Sequence, residues 1–272
     1  MLTLTLRQVP TLPLEAPILS PDRLVGKSLA EIETLPLLLG NRTVTLGDWF
    51  AVSGDSSMPD LTIIGDCGRV KSIGVGMGMG TLTIHGSGGM HVGAAMVGGR
   101  LEVHGDVGDW AGAEMFGGSL HIHGRAGSNA GGAYRGSRKG MRGGMILIDG
   151  DAGPELGALM RRGLIAVGGN VGDYAGNDLI AGTIALFGEV GIRCGAGVKR
   201  GSIVSFGGAI EMIGTYAFDC EYEPVYPMLL QKHLREVGFE PARKMPQPMT
   251  RFRRYSGDRL IYGKGEMLIG LG

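Results

Sequence analysis

The stretch RLEVHGDVGDWAGAEMFGG, residues 100–118, repeats the skeleton of TLTIHGSGGMHVGAAMVGG, residues 81–99, which precedes it. Units of this pattern start at Asp60, Thr81, Arg100, Ser119, Met145, Leu164, Thr183 and Ser202. Most are nineteen residues long; the first has twenty-one, the Ser119 unit twenty-six, and the last is a fragment. Second positions read Leu61, Leu82, Leu101, Leu120, Ile146, Ile165, Ile184 and Ile203. Fourth positions read Ile63, Ile84, Val103, Ile122, Ile148, Val167, Leu186 and Ser205. Two apolar columns two residues apart describe the inward face of a short strand. The sixth position is glycine in every unit, from Gly65 to Gly207.

One such unit cannot bury its own face, whereas stacked units bury a continuous one. The chain is therefore expected to be all-β: a parallel β-helix of about seven 19-residue coils, roughly 35 Å long at ~4.8 Å per strand. Glycine at the corners supplies φ > 0 or close backbone approach without a Cβ penalty. A GxxG next to a strand could suggest a phosphate loop, but such a loop occurs once, before a helix N-terminus. Here every unit repeats it and no helix follows, so these glycines are expected to turn the chain.

Of 52 glycines, 41 fall between Asp60 and Gly208, which divides the sequence into three parts. Residues 1–59 form an N-terminal cap and strand region, 60–208 the coils, and 209–272 a C-terminal helix and strand cap. Ser28 and Glu31 offer a capping box. The segment Pro227–Val237 reads as the one short helix of the caps, ended by Gly238, with Leu229, Leu230, His233, Leu234 and Val237 on its packing face. Both flanks suit the task of covering strand edges that terminal coils would otherwise expose, and they equally suit contacts with a partner.

Lys plus Arg equals Asp plus Glu at 26 each, so no global charge argues for a nucleic-acid or membrane partner. The N-terminus lacks the basic and apolar regions of a signal peptide, and no 18-residue apolar run exists; a soluble cytoplasmic protein is expected. Cys67, Cys194 and Cys220 form no CxxC pair and read as small buried apolar residues.

Three features carry possible chemistry. His85, His104 and His123 occupy the fifth position of consecutive units, with His121 two residues away, Glu102 nearby and Asp149 next in the column. Neighbouring imidazoles could share a metal, but the same column contains Ile64, Gly168, Phe187 and Phe206, which do not ligate metals. The expectation is therefore no metal, and an outer stripe covered by another protein surface. Basic residues gather at the insertion of the Ser119 unit (Arg135, Arg138, Lys139 and Arg142) and at one corner of later units (Arg161, Arg162, Lys199 and Arg200). They are candidates for holding an anionic chain, against the plain alternative of a solvated, salt-bridged corner. No Ser/His/Asp or Cys/His set can be assembled from the spacing, so no catalytic residue is assigned.

The coils resemble the GXGXG β-helix shared by the carboxy-terminal domain of the large glutamate synthase polypeptide and the C subunit of formylmethanofuran dehydrogenase. LLLGNRTVTLGDWFAVSG before them and RFRRYSGDRLIYGKGEMLI after them resemble the whole-chain layout of the C subunit. That resemblance implies a right-handed coil and a noncatalytic partner within a larger enzyme. Two such enzymes use a protein of this family. One is the archaeal molybdenum or tungsten dehydrogenase; the other is the bacterial formyltransferase/hydrolase complex, which moves formyl from tetrahydromethanopterin to a methanofuran-type carrier and releases formate. In both, the resemblance implies metal and formyl chemistry on other subunits, catalytic and formyltransferase subunits as partners, and no cofactor on this chain. The 19 Arg against 7 Lys lean toward the bacterial complex. The carriers bear polyglutamate tails, which the basic corner would suit.

Overall fold

The computed structural model describes residues 1–271. Its largest element is a 13-stranded sheet whose centre is wholly parallel. Eight short strands lie side by side there: Asp60–Ile64, Thr81–His85, Arg100–Val103, Ser119–Ile122, Met145–Ile148, Leu164–Val167, Thr183–Leu186 and Arg200–Ser205. Their register stacks Leu61, Leu82, Leu101, Leu120, Ile146, Ile165, Ile184 and Ile203 directly on one another. All eight are buried. The column expected to face inward does so because a one-residue slip would turn every leucine out and every polar neighbour in.

Two further ladders tie each unit to the next. Single parallel bridges link Cys67, Gly88, Val107, Ala126, Ala152, Val171 and Val190 in sequence. Backbone N–H groups of Gly93, Gly112, Gly131, Gly157, Gly176 and Gly195 donate to Ile73, Val92, Ala111, Ala130, Leu156 and Ala175 one rung back. At Gly112, with φ of 60°, a Cβ would lie 2.5 Å from Ile146 Cδ1. The bare backbone there makes room in the core for the isoleucine two rungs on. The extra residues of the Ser119 unit loop out without shifting the register, because Ala133 N–H donates to Ala158 O and Gly140 N–H to Leu159 O across the loop's base.

Glycine is only part of the turning. Ser72, His91, Trp110, Asn129, Glu155, Tyr174 and Arg193, at one equivalent site per rung, also take φ between 56° and 66°. The N–H groups of His91, Trp110, Asn129, Glu155 and Tyr174 each donate to the next rung. That regular bonding offsets a left-handed cost of about 1–2 kcal/mol per residue, so side chains that repeat no motif can stand at this corner.

Both ends continue the central ladder. Leu2–Leu6 pairs parallel with Asp60–Ile64, placing Leu2 beside Leu61, and Phe50–Gly54 pairs antiparallel outside it. At the other end Lys264–Gly270 pairs parallel with Arg200–Ser205, followed by antiparallel Phe252–Gly257 and Ala217–Tyr222. A separate four-stranded sheet is built from Pro36–Leu39, Arg42–Thr45, Leu14–Glu15 and Val70–Lys71.

The flanks carry five helical segments among the described residues rather than one: Pro21–Leu24, Leu29–Glu33, Leu46–Trp49, Val225–Glu236 and Glu240–Lys244. Ser28 and Glu31 do form a capping box, and Thr45 with Asp48 forms a second. The longest helix starts at Val225, two residues before the proline expected to open it, and Leu230 and Leu234 form its buried side with Gln231. Leu229 and His233, expected to pack, are exposed. They lie on the side of the helix turned away from the sheet.

Candidate functional site

The outer face of the parallel sheet has two halves. On the later rungs Leu147, Ala166, Ala185 and Val204 point outward, yet are buried beneath Leu230, Leu234, Phe239 and Ala242 of the two C-terminal helices. On the earlier rungs Ile64, His85 and His104 lie open. His121, His123 and Asp149 stand at the boundary, and it is there that polar groups converge.

The strand Ser119–Ile122 and the residue after it put His121 and His123 on the same outward side. Asp149 follows the next strand and faces both. His123 donates from Nδ1 to Asp149 Oδ2 at 2.8 Å and from Nε2 to Glu102 Oε1 at 2.9 Å; His121 donates from Nε2 to the same Asp149 oxygen at 3.1 Å. Only 9% of the His121 side chain and 14% of Asp149 is exposed. The second Asp149 oxygen, Oδ1, is buried with no partner.

Electrostatics follows from this geometry. Burial disfavours a charged His123, but its bonds to Glu102 and Asp149 prevail and hold its pKa above the ordinary histidine value. The hydrogen bond from His123 lowers the Glu102 carboxyl. Burial pushes Asp149 upward, yet its bonds and charge interactions with His121 and His123 win, and it too lies below its ordinary value. His104 is depressed by burial and then by its charged neighbour His123.

Of the three histidines in the column, the structure brings only His123 into this cluster through hydrogen bonds. His85, His104 and His123 stack face to face, with ring centroids 4.9 Å apart at each step. Asp149 joins from the next rung, and His121 enters from the neighbouring outward column. Gly168, further along, is covered by Pro241.

The basic candidates separate into two groups. Arg142, Arg161 and Lys199 follow one another along a single edge, because each backbone N–H donates to the residue one rung back that occupies the preceding apolar column. Ile180 interrupts them and Phe116 precedes them in the same row. Arg142 is already engaged, 3.8 Å from Glu114 and 4.5 Å above the Phe116 ring. Arg162 and Arg200 lie one position on, both exposed. Lys264, paired with Arg200 in the terminal strand, extends this edge; the sequence repeat does not reveal it, because Lys264 arrives from outside the repeat. Arg135 instead lines a cavity of about 380 Å³ with Trp110, Asn129, Tyr134, Glu155 and Asn177. Arg138 is exposed and Lys139 half-buried on the same loop.

No family model matches the chain. A 95-residue segment, 34% of the chain, is 43% identical to the C subunit of the tungsten-containing formylmethanofuran dehydrogenase 2 of Methanothermobacter thermautotrophicus. Over 83 residues, 29% of the chain, it is 44% identical to the C subunit of the molybdenum-containing formylmethanofuran dehydrogenase 1 of Methanosarcina barkeri. These alignments span 35% and 28% of the two relatives' lengths. The whole chain is similar to a chain in the crystal structure of the formyltransferase/hydrolase complex of Methylorubrum extorquens in complex with methylofuran. There 99% of this chain and 100% of that one superpose with a TM-score of 0.91 and 32% identity. The chain belongs to the family of formylmethanofuran dehydrogenase C subunits.

The curated relatives in this family are parts of tungsten- or molybdenum-containing enzymes. The residues here do not fit a thiolate-held metal centre. Cys67 and Cys194 are buried in the coil interior, where burial pushes each thiol up to about 12, whereas Cys220, expected to be buried, stands alone and exposed on the strand Ala217–Tyr222, most of whose residues face solvent. Among the described residues no helix is long and apolar enough to cross a membrane.

Proposed function

We propose that this chain is a noncatalytic structural subunit of a cytoplasmic formyltransferase/hydrolase complex. That complex would transfer formyl from formyl-tetrahydromethanopterin to a methanofuran-type carrier and yield formate. The observation that carries the reading is the whole-chain likeness to a chain of such a complex, flanks included, at 32% identity. The subunit's part is mechanical. Residues 60–208 act as a stiff rod of about seven right-handed coils, 1–59 and 209–272 close its ends, and the open surfaces dock the catalytic and formyltransferase subunits.

An electrostatic role accompanies the scaffold. Arg142, Arg161, Arg162, Lys199 and Arg200 line one edge, with Arg135, Arg138 and Lys139 on the adjoining loop. Together they would guide a polyglutamate carrier tail by charge-assisted contacts. Arg142 contributes least, since Glu114 already holds it.

The test is purification of the native assembly through a tag on this chain, followed by subunit identification and formyl-transfer assays at varied salt. The expected result is co-purification with formyltransferase and hydrolase subunits. Replacing Arg161, Arg162, Lys199 and Arg200 by glutamate should weaken carrier use and steepen its salt dependence. Failure to recover partners overturns the scaffold role; unchanged kinetics in an intact, charge-reversed assembly overturns the guiding role.

A second reading, the C subunit of a molybdenum or tungsten dehydrogenase, draws on the higher local identity of 43–44%. Stoichiometric tungsten or molybdenum in the purified assembly would favour it.

A further inference from the structure

We propose that His121, His123 and Asp149 form a binding site for a divalent transition metal, with zinc as its natural occupant. Glu102 is the outer carboxylate that orients His123. The site stands on this chain's own side chains and is independent of the functional reading above.

Four features point to a cation. His121 and His123 are two residues apart on one edge of a β-strand, so their rings leave the sheet on the same side, and Asp149 meets them from the next rung. Asp149 Oδ2 lies 3.1 Å from His121 Nε2 and 2.8 Å from His123 Nδ1, and all three donor atoms lie within 4.8 Å of one another. Zinc bonds of about 2.0–2.1 Å place tetrahedral donors roughly 3.4 Å apart. The two Asp149 distances need to open by a few tenths of an ångström to admit the ion, and rotation of the two imidazoles sets the remaining separation.

The second feature is the shell behind the donors. A ligating histidine usually gives its other ring N–H to a carboxylate, which fixes its tautomer. His123 Nε2 does this with Glu102 Oε1 at 2.9 Å, which leaves Nδ1 to face Asp149. The third is the buried, unpartnered Oδ1 of Asp149. Without a cation, one oxygen takes both histidines while its twin is desolvated for nothing, at a cost that a metal held by both Asp149 oxygens would remove. The fourth is charge. Two neutral imidazoles, two carboxylates and one divalent cation sum to zero within the cluster.

Two imidazoles with a single carboxylate suit zinc or a similar borderline ion, whereas calcium and magnesium prefer all-oxygen sets. The His85–His104–His123 column does not make the site. Glu102, His104 and His123 also place donor atoms within 4.8 Å of one another, but His104 there is exposed, whereas His121 is buried and Asp149 half-buried, and that set would consume the carboxylate that orients His123.

The site's place in the fold gives it something to do. The cavity beside His121 is lined by Glu236 and Val237 at the end of the longest helix. The one beside Asp149 is lined by Pro241, Lys244 and Met245 of the next helical segment. A metal here would sit where the helical cover of the sheet stops.

The experiment uses the full chain, stripped with a chelator and titrated with zinc chloride alone, with bound metal counted after gel filtration. One zinc per chain is expected. His121→Ala, His123→Ala and Asp149→Ala should each weaken binding by at least 100-fold, while His85→Ala and His104→Ala leave it unchanged. Glu102→Gln should weaken it 10- to 100-fold, the range for outer-shell partners. Cobalt loaded into the wild-type chain should show tetrahedral ligand-field absorption, a readout that needs no variant to fold. Absence of stoichiometric zinc in the wild type overturns the proposal. So does zinc retained by a folded His121→Ala/His123→Ala double variant.

Discussion

Pro241 sits on Gly168: a Cβ at that glycine would overlap the proline ring and the Asp149 carbonyl oxygen. Two residues far apart in the chain thus share one contact, and through it the short helix Glu240–Lys244 is seated on the coil. Gly168 carries no positive φ to explain its identity; the close approach does. Gly168→Val should therefore push the helical cover off the sheet and destabilise the protein by about 1–3 kcal/mol, the usual range for overpacking. Thermal melting should shift down, and limited proteolysis should cleave first near residues 239–249. A variant that melts and cleaves like the wild type would show that the cover is held elsewhere.

That contact marks the limit of what the sequence discloses. The inward columns at Leu120 or Ile165 are legible because a two-residue alternation repeated every nineteen residues has one physical solution. The corner at Trp110 and Tyr174 is not, because its left-handed backbone is held by rung-to-rung hydrogen bonds that any side chain permits. The fifth-position histidines are visible as a column, but His121 belongs to another column and joins them only when Asp149 stacks alongside. Likewise, nothing near Gly168 announces Pro241. Local repetition writes the coil; tertiary meetings between coil and flank decide which outward residues are covered and which can act.

The inserted loop offers a pH test. Tyr134 hydroxyl donates to His91 Nδ1 at 2.9 Å, and both rings pack with Trp110. Burial holds the His91 pKa below its ordinary value, with Lys71 acting in the same direction and Glu15 and Asp109 opposing. A depressed folded pKa means that the unfolded chain binds the proton more readily. The stabilisation is therefore complete above about pH 6.5, the unfolded value, and is lost as pH falls through the folded one. Amide-exchange protection in residues 133–140, taken relative to the intrinsic rate at each pH, should fall on acidification across that window. His91→Phe should flatten this dependence; an equally steep profile in that variant would assign it to another group.

The thiols make a sharper distinction. Cys67 and Cys194 face the coil interior and burial pushes both up to about 12, whereas Cys220 is exposed on the strand Ala217–Tyr222. Since the thiolate is the reactive form, one thiol per native chain should react with a disulfide reagent at pH 8, and three after denaturation. Cys220→Ser should abolish the native signal without changing the melting temperature. Rapid labelling of two or more thiols in the native chain would mean that the coil interior opens far more readily than its packing implies.

Between rungs, carboxylates do work that the backbone leaves undone. Asp106 Oδ1 accepts the Arg125 backbone N–H at 2.8 Å, Asp151 does the same for Asn170 at 2.7 Å, and Asn170 for Glu189 at 2.9 Å. At Asp106 the Arg125 backbone bond is the main cause of a pKa below the ordinary aspartate value. A lowered folded pKa gives stability that is present above about pH 3.9, the unfolded value, and lost as pH falls through the folded one. Asp106→Ala should destabilise by about 0.5–1 kcal/mol at neutral pH, the lower part of the hydrogen-bond range, because half of this side chain is exposed and solvent screens its charge. Asp106→Asn keeps an acceptor oxygen at the same place, as Asn170 does naturally, and should lose less. The decisive measurement is urea unfolding from pH 7 to pH 3: the gap between wild type and Asp106→Ala should narrow as the carboxyl protonates, while the gap between Asp106→Asn and Asp106→Ala stays constant. A wild-type advantage that persists undiminished at pH 3 would place the stabilisation in the shape of the turn rather than in the ionised carboxylate.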